Sequence, residues 1–458
     1  GALAASQAEP PSCAAPEALA GVWGEAESAA VAAAIRGTGL AFAEDTWRKV
    51  QVLVDSYAAA WVDLRERSCA EHRGGAISSD LLDRRALCLD RRRADLALVL
   101  AALRAGERGA VERAVDLLGG LEAVSSCVDP ARPSAAEGER ADDPGFAAWA
   151  EDVRVRLVQV RVHERTGAHQ AAKALAEAIA AEAAALGEEG PRLEALYLRA
   201  RALAALGEHE AAEQDLLAAL EGAHARGLDA LATQAAAFLI FVSGEARARY
   251  AVGEAWARLA LAGARRIGDD GREEATARHY YGVMLSSADR VEEALAELEQ
   301  AYALRRGLLG SDHVDTSGSA TSLGNVLWKA GRLEEAVALQ QASLASREAA
   351  LGPNHPALVI PLGNLGVALV ALERVEEARA AWTRALALLR ANFPESHPNV
   401  AVISANLADL DAQAGDHAAA REHYEAALAG ARASLGEHPD TALILTGLAS
   451  ARITLGEL

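Results

Sequence analysis

A 42-residue period fills the C-terminal half of this chain. The segments Leu309-Gly310-Ser311-Asp312-His313, Leu351-Gly352-Pro353-Asn354-His355-Pro356 and Phe393-Pro394-Glu395-Ser396-His397-Pro398 recur at that step. So do Ala294, Ala336, Ala378 and Ala420, and Gly282, Gly324 and Gly366, with Ala408 in the fourth place. A fixed period of this size marks a solenoid, whose units bury their apolar faces against one another, and a solenoid usually binds rather than catalyses.

Each repeat predicts two helices. Residues 317–330 carry apolar positions at helical spacing, broken by Ala330-Gly331-Arg332. Leu333 to Ala350 forms the second helix, ended by Gly, Pro and Asn between Leu351 and Pro356. Gly324 is expected where one helix packs closely on its partner. Ala336 and the small position after it (Ser343, matching Ala301, Ala385 and Ala427) are expected where the second helix meets its neighbours, because a larger side chain there would overpack the core.

Gly or Ala, then Ala twelve residues on, then a small residue seven beyond, resembles the tetratricopeptide repeat. The 42-residue length, the junction Leu351-Gly352-Pro353-Asn354-His355-Pro356, and Asn364-Leu365-Gly366 with Asn406-Leu407-Ala408 resemble its kinesin-light-chain form. Upstream the pattern loosens. Gly207-Glu208-His209-Glu210-Ala211-Ala212 with Ala219 fits one unit, Gly167 with Ala172 a second, and Glu254-Ala255 with Ala262 a third. The expected architecture is all-α: seven helical pairs from about residue 146 to 434, then a final helix at 440–455 that lacks a partner and caps the open end. No alternating run predicts a strand.

Ala dominates and aromatics are 4%, a composition for thin, closely packed helices. The net charge of −20 argues against a nucleic-acid partner, which calls for a basic face. No run of 18 apolar residues exists to span a membrane. Residue 1 is Gly rather than Met, as in an excised or processed piece, and residues 1–16, rich in Ala, Ser, Pro and Glu, read as a linker.

Residues 17–127 do not follow the repeat and are expected to form an N-terminal helical domain. Trp47, Val50, Val54, Tyr57, Trp61 and Leu64 make one apolar helical stripe, with Asp45 or Thr46 as its expected cap. Leu82, Ala86, Leu89, Leu96, Leu100 and Leu103 make a second stripe, and Val111, Val115, Leu118 and Leu121 a third. A Pro- and Gly-rich stretch at 128–145 reads as a linker before the solenoid at 146–458. All four cysteines, Cys13, Cys69, Cys88 and Cys127, lie N-terminal to it, without zinc or redox spacing. Two readings stay open: small buried hydrophobes in a reduced compartment, or two disulfides in an oxidising one.

This segment resembles the region C-terminal to the kinase domain in bacterial serine/threonine protein kinases of the myxobacterial type. The resemblance rests on Leu19-Ala20-Gly21-Val22-Trp23, Thr38-Gly39-Leu40-Ala41-Phe42-Ala43-Glu44-Asp45-Thr46-Trp47 and Asp55-Ser56-Tyr57-Ala58-Ala59-Ala60-Trp61. It rests also on Cys69 and on Leu81-Leu82-Asp83-Arg84-Arg85-Ala86-Leu87-Cys88-Leu89-Asp90-Arg91-Arg92. In that family a cytoplasmic kinase and a membrane-spanning helix precede such a segment. The resemblance thus implies an extracytoplasmic sensor or docking region tethered by an upstream helix, the alternative being a cytoplasmic, free-standing adaptor. Extracytoplasmic placement favours disulfides. Of the three possible pairings, the expected one is Cys69–Cys88, stapling a helical hairpin, with Cys13–Cys127 tying the segment's ends.

The chain has no kinase Gly-rich loop, His-Arg-Asp or Asp-Phe-Gly, no phosphate-binding Gly-x-x-x-x-Gly-Lys-Ser/Thr, no Gly-x-Ser-x-Gly and no His-Glu-x-x-His. Neither catalysis nor a metal nor a cofactor is expected. His313, His355 and His397 recur with the repeat and are expected to hydrogen-bond the chain at the turns. Arg91-Arg92-Arg93, beside Asp90 and Asp95, is expected to be a solvated charged face.

The expected partner is a protein or peptide. The resemblance implies that the first helix of each pair lines a concave groove, at His279, Thr321, Asn325, Trp328, Asn364, Val367, Asn406 and Asp409. Asn364 and Asn406 match the family Asn that often contacts the backbone of a bound extended peptide, a role suited to an amide with both donor and acceptor. Trp328 offers an anchor. Basic residues that would clamp a peptide carboxylate are missing from these positions.

Overall fold

The structure, a computed structural model, describes residues 19–130, 143–268, 271–434 and 439–457. Among these residues every regular element is a helix. They fall into two compact units: one of residues up to Gly39 and Thr46–Ala168, the other of Leu40–Asp45 and His169 onward.

The first unit contains the helices Glu25–Gly37, Ala43–Arg73 (from Thr46), Ser79–Arg104, Arg108–Glu112, Ala114–Gly119 and Pro144–Arg165. Its apolar stripes go inside, with Val50, Val54, Trp61, Leu89, Leu96, Leu100 and Leu103 almost wholly buried. Trp61 Nε1 donates to the Leu89 carbonyl at 2.6 Å, which fixes the register of the two long helices. The helix around Trp47 begins at Ala43. Asp45 and Thr46 are therefore not its cap but part of its first turn, where Asp45 complements the helix dipole.

The expected cysteine pairing is wrong. Cys88 is bonded to Cys127, with Cα atoms 5.6 Å apart. Register explains the error. Trp61 meets Leu89 and Ser68 meets Arg85 across the hairpin, which puts Cys88 level with residues near 64. Cys69 lies about a helical turn further along, roughly 6–10 Å at 1.5 Å per residue, beyond the reach of a disulfide. Cys127 arrives instead on the short 3-10 turn Val124–Cys127 and is fully buried beside Trp61, Leu64 and Leu89. Cys69 is also disulfide-bonded, and Cys13 lies outside the described residues. The charged run needs correction too. Arg92 is not solvated: its side chain is 12% exposed and contacts Asp95, Glu122 and Ser126.

The second unit is a stack of helical pairs. After His169–Leu186 come Glu189–Ala205 with His209–Arg226, Asp229–Leu239 with Tyr250–Ile267, and Arg272–Ser287 with Val291–Leu309. Then follow Val314–Lys329 with Leu333–Leu351, Val359–Ala371 with Val375–Asn392, and Pro398–Gln413 with His417–Ser434, before the last helix, Pro439–Thr454. No helix among the described residues is long and apolar enough to cross a membrane. His313, His355 and His397 each cap a following helix or turn, Nδ1 accepting from the backbone N–H two residues on at 3.1–3.2 Å. Phe42 is fully buried, edge-on to the His355 ring with centroids 4.7 Å apart.

The small positions hold the pairs together. A Cβ on Gly282, Gly324 or Gly366 would run into Leu298, Gln340 or Trp382 of the paired helix. In the irregular pair the frame sits two residues earlier than the sequence pattern suggested. Ala255 and Ala262 are exposed, whereas Gly253 and Ala260 are buried, in step with Ala212 and Ala219 before them and Ala294 and Ala301 after. The first helix of that pair runs into a π-helical turn, Ile240–Glu245, and Gly244 and Gly253 approach so closely that the Met284 sulfur covers both. With Gly253 in the frame, the steps from Ala212 and to Ala294 are both 41 residues.

Candidate binding face

Successive first helices touch one another: Asp229–Leu239 with Arg272–Ser287, that helix with Val314–Lys329, and Val314–Lys329 with Val359–Ala371. Among the described residues no two successive second helices pack to the same extent. The first helices therefore form the inner side of the stack. On the later ones, two residues four apart lie on the side away from the paired helix: Ile360 and Asn364 in Val359–Ala371, and Val402 and Asn406 in Pro398–Gln413. Asn325, Val367 and Asp409, three residues further on in the frame, lie at the edge next to the second helix.

The structure separates the eight expected residues. Asn364 and Asn406 are half-buried on this inner side. The Asn364 Nδ2 is shut off from solvent and has no hydrogen-bond acceptor. Val367 is half-buried and packs against the core below. Trp328 is 41% exposed. Asn325 is exposed, and its Oδ1 accepts from Gln340 Nε2 at 3.1 Å. Asp409 is exposed and accepts from the Tyr424 hydroxyl, whose pKa is pushed up by burial and then by that carboxylate. Thr321 is buried between the two helices of its pair, its hydroxyl 2.9 Å from the Ser317 carbonyl and 3.0 Å from Ser343 Oγ. It faces the second helix, not the inner side.

His279 is half-buried, with Nδ1 3.4 Å from Ser319 Oγ, a hydroxyl that also receives Arg305 at 2.9 Å. Burial, and secondarily the Arg305 charge, push its pKa down to about 3. The unfolded chain, with an ordinary value of about 6.5, therefore binds the extra proton as pH falls through this window. The stability that neutral His279 supports near pH 7 is lost progressively from about pH 6.5 towards 3. His279→Gln is expected to flatten the acid limb of a stability–pH curve, and the wild-type His279 ring resonances should not titrate between about pH 7 and 5.

Two rows of residues on this face escape a reading of single positions. Tyr197, Phe238 and Tyr280 occupy, at steps of 41 and 42, the frame position later held by Ser322, Asn364 and Asn406. Phe238 packs 5.9 Å from Tyr280 and 5.6 Å from Phe241, and the Arg201 guanidinium lies over Phe238 and Tyr197. Beside the amides runs an apolar row, Ile360, Val402 and Leu443, each more than half exposed. The period itself was the signal for both rows. Among the described residues no cluster of acidic, His or Cys side chains could hold a metal.

Three family models, each described as the tetratricopeptide repeat, match this chain, over residues 315–391 and 399–458, over 275–315, and over 193–221. The second unit is a tetratricopeptide-repeat solenoid, a protein-interaction module. No curated protein matches the chain. Among solved structures it is similar to BtubC (BKLC) from P. vanneervenii, at 20% identity over 49% of this chain and 92% of that one, with a TM-score of 0.43. It is also similar to a putative kinesin light chain with nearly identical TPR-like repeats from Podosopora anserina, at 25% identity over 39% of this chain and 85% of that one, TM-score 0.36. The apo form of RapI matches at 10% identity over 84% of this chain and 97% of that one, TM-score 0.47.

Proposed function

We propose that this chain is a non-catalytic docking module that holds an extended segment of a partner protein along the inner side of its first helices. One observation carries the reading. Asn364 sits in that face with an amide nitrogen that folding leaves without an acceptor, and Asn406 holds the same frame position one unit on. An unsatisfied buried donor costs roughly 1–3 kcal/mol. Rotation of the amide towards the inner face lets a peptide carbonyl accept from it, while Ile360 and Val402 on either side meet alternate side chains of an extended strand.

The finer reading is that the module is the sensor or docking region of a bacterial serine/threonine protein kinase, on the extracytoplasmic side and tethered by an upstream helix. The resemblance of residues 17–127 supports it. So does the Cys88–Cys127 bridge, since disulfides persist in oxidising compartments. The alternative is a free-standing adaptor with the same binding face. The test of the face is a paired measurement on Asn364→Ala. Partner affinity is expected to fall by about 1–3 kcal/mol while the melting temperature holds.

A further inference from the structure

We propose that one end of the pair Val314–Lys329 with Leu333–Leu351 is a built-in opening point of the repeat array, where residues 314–322 and 340–350 part locally while the flanking pairs stay folded. The sequence makes the core of this end from hydroxyls and an amide. Thr316, Ser317, Ser319 and Thr321 of the first helix and Gln340 and Ser343 of the second are all buried. One period on, the positions of Thr316, Ser317, Ser319 and Gln340 hold Leu358, Val359, Pro361 and Trp382. Two periods on they hold Val400, Ala401, Ile403 and Tyr424. These side chains are buried as well, so the same space is closed by apolar packing in the later pairs.

The polar groups do not complete their own network. The Thr321 hydroxyl donates to the Ser317 carbonyl at 2.9 Å and lies 3.0 Å from Ser343 Oγ, which is 3.1 Å from the same carbonyl. Gln340 Nε2 donates to the Thr321 carbonyl at 3.2 Å and to Asn325 Oδ1 at 3.1 Å. Gln340 Oε1 and Thr316 Oγ1 are shut off from solvent and have no partner. Each forfeits its hydrogen bond to water on closure and regains it on opening. Local propensity acts in the same direction. Ser317 and Thr321 bond back to the carbonyls of Val314 and Ser317, a pattern that loosens and bends a helix. Thr316-Ser317-Gly318-Ser319 is a run of poor helix formers.

The side towards the preceding pair is polar too. Arg305 donates to Ser319 Oγ at 2.9 Å and to the Asp315 carbonyl at 3.2 Å, and the same Ser319 hydroxyl lies 3.4 Å from His279 Nδ1. At the other end of the pair, Leu323, Val326, Leu327, Ala336 and Val337 join the apolar core shared with Leu285 and Leu362. The pair is thus fastened at one end by apolar burial and closed at the other by hydrogen bonds that water can replace. Gly318 and Ser322 hold here the frame positions of Ile360 and Asn364. A consequence rests on the inner-face reading above: a partner segment lying along the stack crosses the opening point and holds it shut, so binding and local closure are coupled.

Amide hydrogen exchange of the free chain, with no partner added, tests the opening point. After correction for intrinsic rates, residues 314–322 and 340–350 are expected to exchange at least about tenfold faster than residues 356–364, 382–392 and 398–406. The variant Thr316→Val with Gln340→Leu removes both unpartnered groups and seats a leucine on Gly324, as Leu298 is seated on Gly282 one pair earlier. It is expected to slow exchange in 314–322 and 340–350 at least about fivefold and to leave the later pairs unchanged. The variant must keep the wild-type helical circular dichroism; should it not, Thr316→Val, which replaces the hydroxyl by a methyl of similar size, decides alone. Equal rates in the wild-type segments, or a difference that the deciding variant leaves in place, overturns the proposal. Either failure leaves the inner-face reading untouched, because no partner takes part in the measurement.

Discussion

Trp382→Ala is expected to destabilise the repeat array by about 3–5 kcal/mol, the range for deleting a buried large aromatic. The indole is 4% exposed and lies on Gly366, and its Nε1 donates to the Gly363 carbonyl at 2.9 Å. The substitution removes both the fill and the hydrogen bond and leaves a cavity at the centre of one pair. Because each unit contacts only its neighbours, the loss should be local. Amide exchange should accelerate in Val359–Ala371 and Val375–Asn392 before it does in Glu189–Arg226. A denaturation midpoint unchanged from wild type would show that Trp382 does not hold the pair. The reciprocal change, Gly366→Leu, should destabilise through overpacking.

Loss of the Cys88–Cys127 bridge is expected to cost about 4 kcal/mol in the first unit, from the chain entropy of a loop of this length; the two cysteines are 39 residues apart. Cys88→Ser should therefore lower the denaturant midpoint of the first unit and leave that of the repeats in place. An unreduced digest should contain a peptide linking Cys88 to Cys127. A Cys69–Cys88 peptide in its place would contradict the structure.

The repeat region was legible because one physical requirement recurs at one spacing. Gly282, Gly324 and Gly366 each admit a large side chain from the paired helix, so the period announces the pair and its packing together. The cysteine pairing was not legible. It depends on the register of two long helices, which is set by Trp61 against Leu89 and Arg85 against Ser68, and on a short turn that brings Cys127 alongside. Spacing in sequence carries neither. The candidate binding face lay between these cases. Asn364 and Asn406 followed from the repeat frame, and the same frame held Tyr197, Phe238 and Tyr280 in plain sight. Thr321 was misplaced because one residue along a helix turns a side chain by about 100°, enough to move it from the inner side to the second helix.

The inner face is tested most directly by melting temperature and partner affinity measured together on Asn364→Ala. The amide nitrogen has no acceptor in the free protein, so its removal should leave the melting temperature unchanged or slightly raised. Partner affinity should fall by about 1–3 kcal/mol, since a peptide carbonyl loses its donor in the complex. A mutant that melts several degrees lower yet binds the partner with unchanged affinity would contradict the account. The amide would then belong to the fold, and the binding surface would move to the outer face.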